Sequence, residues 1–239
     1  MEQTACTAMQ ARIAAIRARM EDAARRAGRN PQEIRLCAAC KTQETETVRA
    51  SAHMAIDLFG ENHVQELVEK YDAGAYEGKE VHFIGHLQTN KVKKVVGRAD
   101  VIESVDSQRL LDVIEREAEK QNRTQMVFLE VNIGGEASKS GVAPDELLPL
   151  LTYASSLPHI RVTGLMAIPP VLTSEEQNRG FLRQMAGWFR KAGELSLPGV
   201  SMQELSMGMS GDFENAILEG ATLVRIGTAI YGARDYSKK

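Results

Sequence analysis

The chain has 239 residues, of which 43% are hydrophobic and 26% charged, a balance that supports one large buried core and excludes a disordered or fibrous protein. Its 29 basic and 32 acidic residues leave a net charge of −3, so no overall positive field draws nucleic acid or an anionic membrane surface. No run approaches the roughly 20 apolar residues of a transmembrane helix and no secretory signal opens the chain, so a cytoplasmic protein is expected.

In chain order, Ile13, Ile16, Met20, Ala24 and Ala27 recur at helical spacing between arginines and predict an amphipathic helix over Ala5–Ala27. Gly28, Asn30 and Pro31 end it. Short apolar runs follow, predicting strands at Ile34–Cys40, Ala55–Phe59, Glu80–Ile84, Asp100–Val105, Met126–Ile133, Val162–Ile168, Glu204–Met207 and Leu223–Ile226. Helical patterns separate them, among others over Ser107–Gln121, Pro144–Leu157, Glu175–Leu195 and Gly211–Glu219. Repeated βα units imply a parallel sheet, and eight of them in a chain near the roughly 250 residues of the type close into a (β/α)₈ TIM barrel. The expectation is a single barrel domain over residues 1–239 with an extra helix before the first strand. An open doubly wound sheet is the alternative, but no G-x-G-x-x-G follows the first strand.

Cys6, Cys37 and Cys40 are too few for a disulfide framework. Cys37 and Cys40 spell C-x-x-C, yet strand residues three apart face opposite sides, and the turn-and-helix setting of a metal or redox pair is missing. His82 and His86 lack a third ligand, so no metal site is expected. Lys91, Lys93, Lys94 and Arg98 read as a solvated helix face.

Barrels of this kind carry their chemistry at the C-terminal ends of the strands. There the sequence offers Lys41 after strand one, Asn62 after strand two, His86 after strand three, Asn132 and the loop Ser138-Lys139-Ser140-Gly141 after strand five, Ser206 to Asp212 after strand seven, and Gly227-Thr228 after strand eight. The glycine- and hydroxyl-rich mouths of strands seven and eight open into helices, whose free N–H groups suit a phosphate. Gly and Ser also end strands merely to turn the chain. Lys41 is either a solvated strand-end lysine or an amine held in a pocket that favours its neutral, nucleophilic form.

The segments ACKT (Ala39–Thr42), FGENHVQE (Phe59–Glu66), HFIGHLQTNK (His82–Lys91), SKSG, GLMAI (Gly164–Ile168), SMGMSGD and RIGTAIYGARDY (Arg225–Tyr236) together resemble the pyridoxal phosphate homeostasis proteins, single-domain relatives of the alanine racemase N-terminal barrel. The resemblance covers nearly the whole chain. It implies pyridoxal 5′-phosphate as cofactor, carried as a Schiff base on Lys41. It further implies that Ser206, Ser210, Gly227 and Thr228 surround the phosphate with Met207 in the same set, that Arg225 points at the pyridine nitrogen, and that Asn62 and Met166 line the ring. Cys40 stands where serine is common and His63 where tyrosine is common. Strand alternation turns Cys40 away from Lys41, and His63 is expected in packing or at the surface.

Alanine racemase takes a catalytic tyrosine from a second domain that this chain is expected to lack. The resemblance therefore implies a carrier that controls free pyridoxal phosphate without robust catalysis. Apo-enzymes that use pyridoxal phosphate are the candidate partners, the sequence naming none of them, and without the racemase's second domain a monomer is expected. The alternative is an amino-acid racemase using Lys41 with Tyr231 opposite, and a phosphosugar enzyme would share the phosphate site alone. Lys139 is expected to touch cofactor or phosphate during loading or release.

Overall fold

The computed structural model describes residues 3–136, 139–170 and 174–232. Helix α1 (Gln3–Arg26) buries Met9, Ile13, Ile16, Met20, Ala23 and Ala24 along one stripe, as the three-and-four spacing requires. Eight strands follow: β1 (Arg35–Ala39), β2 (Leu58–Glu61), β3 (Glu80–Phe83), β4 (Val101–Val105), β5 (Gln125–Val131), β6 (Ile160–Ala167), β7 (Val200–Ser206) and β8 (Leu223–Ile226). They pair in sequence order as a closed parallel barrel, β1 lying between β2 and β8.

The helices of the outer ring are α2 (Thr45–Ala52), α3 (Val64–Asp72), α4 (Val92–Val95), α5 (Gln108–Lys120), α6 (Leu147–Ser155), α7 (Glu175–Glu194), α8 (Phe213–Leu218) and α9 (Thr228–Tyr231). Their apolar faces cover the strands from outside, so β4 and β8 are buried at every residue. Helix α1 packs on α8, α9 and α2, across the seam where the first and last strands meet. Its arginines fasten it there: Arg12 donates to the Ile230 carbonyl at 2.6 Å and Arg17 to the Asp57 carboxylate at 2.7 Å.

Two strands depart furthest from the sequence pattern, the others differing by at most two residues at either end. The second runs Leu58–Glu61 rather than Ala55–Phe59, because Asp57 caps it instead of pairing in it, its carboxylate taking the Leu36 N–H at 2.5 Å. The seventh begins at Val200, four residues before Glu204, where alternate side chains reach solvent and hide the apolar signal. Helix α8 is also shorter than the Gly211–Glu219 span expected.

The barrel interior holds a small apolar cluster of Cys37, Leu58, Val101, Phe128, Met166 and Leu223. Beside it runs a line of charge. At the N-terminal end Arg35 pairs with Glu80 and with Glu204, the latter at 2.5 Å. His82 bridges Glu80 at 2.7 Å and Glu103 at 2.6 Å. Ser206 donates to Glu103 at 2.5 Å and accepts from Arg225 at 2.5 Å, which brings the line to the C-terminal mouth. Burial disfavours the His82 charge, but the hydrogen bonds to Glu103 and Glu80 outweigh it and hold the imidazole up to about 9. The contacts of His82 thus favour the charged imidazolium inside the barrel, whereas His86 belongs to the loop at the mouth.

Candidate functional site

At the C-terminal mouth a cavity of about 270 Å³ opens between the ends of β1, β2, β7 and β8. Lys41, Asn62, Ser210, Arg225, Gly227 and Thr228, each singled out in the sequence, line it together. Ile84 and Ile168 form apolar walls, and Thr42, Gln43, Met209, Gly211 and Tyr231 complete the rim. Met209 and Gly211 belong to the strand-seven mouth singled out in the sequence and Tyr231 to α9, whereas Gln43, Ile84 and Ile168 carry no distinctive sequence signal.

Three expected site residues are not brought to the cavity wall. Ser206 is fully buried below it, where its hydroxyl joins Arg225 to Glu103. Met166 is 1% exposed within the interior apolar cluster, and Met207 is fully buried in the core between barrel and helices. The cause is the period-two alternation of a strand: the last residue of β7 points inward and its neighbour outward, so the rim belongs to the loop that follows. Ser138, and Ala233–Tyr236 of the RIGTAIYGARDY segment, lie outside the described residues.

Glycine permits close approaches at the mouths of both β7 and β8, to α8 and to β1 respectively. A Cβ at Gly227 would stand 2.9 Å from the Ala39 carbonyl oxygen of β1, and Gly208, at φ 95°, would set one 2.6 Å from the Ala216 Cβ. Ser210 accepts from the Ala229 N–H at 3.4 Å, linking the two loops. Asp212 fixes the loop from behind, accepting from the Met209 N–H at 2.7 Å and from Asn178 Nδ2 at 3.1 Å. Arg225 reaches the cavity floor with its guanidinium held by Ser206 Oγ and, at 3.0 Å, by the Ala167 carbonyl. The Oδ1 atom of Asn62 is a buried acceptor without a partner among the described residues. A cationic floor, hydroxyl and backbone donors on one side, a lysine on another and an unmatched acceptor suit a small, flat, anionic ligand that also carries a hydrogen-bond donor.

Around Lys41 the backbone is tightly held. Thr42 adopts φ 64°, the left-handed region that favours glycine, and its N–H donates to Glu66 Oε2 at 2.7 Å. Lys70, on α3, donates to the Cys40 carbonyl at 2.9 Å, to Glu61 at 2.8 Å and to Glu66 at 3.0 Å. Cys40 faces away from the cavity and donates its thiol to Glu61 at 2.8 Å, while burial pushes its pKa well up. His63 is exposed, and its ring lies 2.7 Å from Glu66.

A second cavity of about 230 Å³ shares Asn62, Ile84 and Ile168 with the first and is lined by His86, Glu130, Lys139 and Ser140. Lys139 donates to the Pro169 carbonyl at 3.0 Å and pairs with Glu136 at 2.5 Å; His86 and Ser140 lie 3.2 Å apart. Burial holds the Glu130 carboxyl up to about 7. Asn132, expected at this mouth, shapes its loop instead, exchanging hydrogen bonds with the Glu136 backbone at 2.9 and 3.2 Å.

The sequence profile of the alanine racemase N-terminal domain matches residues 12–235. A pyridoxal phosphate homeostasis protein of Aquifex aeolicus is 43% identical over 228 residues, spanning 94% of this chain and 98% of that one. The chain belongs to the pyridoxal phosphate homeostasis family. Its namesake in Escherichia coli K12 is 40% identical over 95% of this chain and 97% of its own. Among solved structures of similar proteins, PipY of Synechococcus elongatus with PLP bound superposes with a TM-score of 0.81 at 29% identity, covering 94% of this chain and all of that one. An alanine racemase of Clostridium difficile shares the fold alone, with a TM-score of 0.73 at 14% identity, and the match spans 58% of its length.

Proposed function

We propose that this chain binds pyridoxal 5′-phosphate in the mouth cavity as a Schiff base on Lys41, and that it stores and releases the cofactor for apo-enzymes without robust catalysis of its own. The observation that carries the reading is the convergence of Lys41, Arg225, Ser210, Gly227 and Thr228 on one cavity. When bound, the cofactor supplies an electrophilic aldehyde, a phosphate dianion and a ring hydroxyl. Lys41 is the primary amine that meets the aldehyde. Ser210, Thr228 and the N–H groups about Gly227 hold the phosphate, and Asn62 Oδ1 accepts from the ring hydroxyl. Met166 and Ser206 act from beneath, Ser206 by orienting Arg225.

Arg225 faces the pyridine nitrogen. A guanidinium has donors but no proton to yield near neutral pH, so it leaves that nitrogen unprotonated and the ring a poor electron sink. This supports a carrier over a racemase. So does Tyr231, the candidate second acid/base group, whose hydroxyl is engaged by Ser51 at 3.1 Å. The relatives' names accord with the carrier reading.

Adding pyridoxal phosphate to the purified protein should produce an imine absorbance band that Lys41→Ala abolishes; a wild-type protein without the band refutes covalent binding. Incubating the loaded protein with single-enantiomer amino acids in deuterated water should then leave their α-protons in place. Sustained exchange or racemisation would establish the enzyme instead.

A further inference from the structure

We infer that Glu66 and Lys70 of α3 are positioning residues for Lys41, clamping the peptide groups on either side of it so that its amine is delivered to the cavity. The inference rests on the Schiff-base reading above. The two groups flanking Lys41 are the Cys40 carbonyl and the Thr42 N–H, and each is held by a charged side chain of this one helix, at 2.9 Å by Lys70 and at 2.7 Å by Glu66. Lys70 and Glu66 also meet each other at 3.0 Å, so the clamp is a closed ring around the turn.

The cluster is costly in any other role. Lys70 and Glu61 have side chains 3% and 0% exposed, and Glu61 Oε1 accepts from Lys70, from Cys40 and, at 3.2 Å, from Tyr76. Packing α3 against the barrel does not require buried charge, since apolar residues of similar volume serve a core as well or better. The charges are accounted for by the turn they hold. Thr42 sits in the left-handed region with a branched side chain, a strained conformation whose N–H Glu66 fixes, while the Cys40 carbonyl, which also accepts from the Gln43 N–H at 3.1 Å, is tied to the same helix by Lys70. Release of the turn would let the Lys41 backbone swing while leaving Ser210, Arg225 and Thr228, on strands seven and eight and their loops, where they are.

That separation gives the test. Pyridoxal 5′-phosphate and pyridoxine 5′-phosphate share the ring and phosphate, and only the first has the aldehyde. The ratio of their affinities, measured by equilibrium dialysis on the full-length protein, reads the contribution of Lys41. The ratio should be large in the wild type and collapse in Lys41→Ala; a wild-type ratio near one refutes the Schiff-base reading itself. In Glu66→Ala and Lys70→Gln the ratio should fall by about tenfold or more, as a displaced reactive group demands, with pyridoxine phosphate affinity unchanged. Glu66→Gln, which keeps an acceptor for Thr42, should retain more of the ratio than Glu66→Ala. Glu66 is partly exposed, so its variants fold even where Lys70→Gln does not. A ratio equal to wild type in Glu66→Ala, or equal weakening of both ligands, overturns the clamp.

Discussion

The charged line inside the barrel makes stability depend on alkaline pH in a way that one substitution should remove. His82 is fully buried, and its pKa rises from an ordinary 6.5 to about 9. The native state therefore binds this proton more tightly than the unfolded chain. The associated stability is complete below about pH 6.5 and is lost as the pH climbs through about 9. Each tenfold gain in proton affinity is worth about 1.4 kcal/mol, so the loss over that window is about 3 kcal/mol, a substantial part of a typical domain's stability. The assay is urea unfolding at several pH values across the window for the wild type and His82→Gln. Glutamine can donate to one neighbouring carboxylate but cannot titrate, so the variant should start less stable near neutrality and lose less on the way up. Other groups that titrate there are common to both proteins and cancel. Equal pH slopes in the two would refute the reasoning, by showing that the interior imidazole is neutral.

Three further outcomes follow from single contacts. Gly227→Ala should weaken pyridoxal phosphate binding about tenfold or more by titration, since its Cβ would press on the Ala39 carbonyl and part the mouths of β8 and β1. Glu130→Gln should reduce the fall in stability between about pH 4.5 and 7, because burial raises this carboxyl and the native state therefore favours its protonated form, with stability lost as the pH rises through about 7; a denaturation series at three pH values reads the difference. Ile16→Ala on α1, at a site 3% exposed, should cost about 2–5 kcal/mol in urea unfolding through the void it leaves against the outer ring.

Much of the barrel was legible because its strands are buried on both faces and read as apolar runs between turn signals. The pattern fails where polar residues do a strand's work. Glu61 is tolerated in β2 because Lys70 and Cys40 both donate to its Oε1, and no local sequence pattern announces either contact. The first half of β7 alternates exposed and half-buried residues and passes for a loop. At the site, the rule that chemistry lies past the strand ends points to Lys41, Asn62, Ser210, Gly227 and Thr228, which the structure gathers around one cavity. Ser206 and Met207, picked out by the same rule, sit off the cavity wall by one or two residues of alternation, which is the difference between rim, interior and outer core. The interior charges were out of reach for another reason: Arg35, Glu80, His82, Glu103, Ser206 and Arg225 come from five strands, and their complementarity exists only after the barrel closes. The hold on Lys41 is similarly non-local, since it comes from α3.

The same interior has a consequence for how the chain reaches its fold. Closing the barrel requires β1 to find β8, with Arg35 opposite Leu223, and that pairing can form only after the last strand has been synthesised. An unclosed barrel ordinarily displays a greasy inner sheet that invites aggregation. Here the exposed inner face would carry Arg35, Glu80, His82, Glu103 and Arg225, all of which water solvates well. The contacts that wait for the last strands are those of Arg35 with Glu204 and of Arg225 with Ser206 and Glu103, whereas Arg35 with Glu80, and His82 with Glu80 and Glu103, need only β1 to β4. Dehydration of the interior charges is thereby spread over assembly and completed at closure.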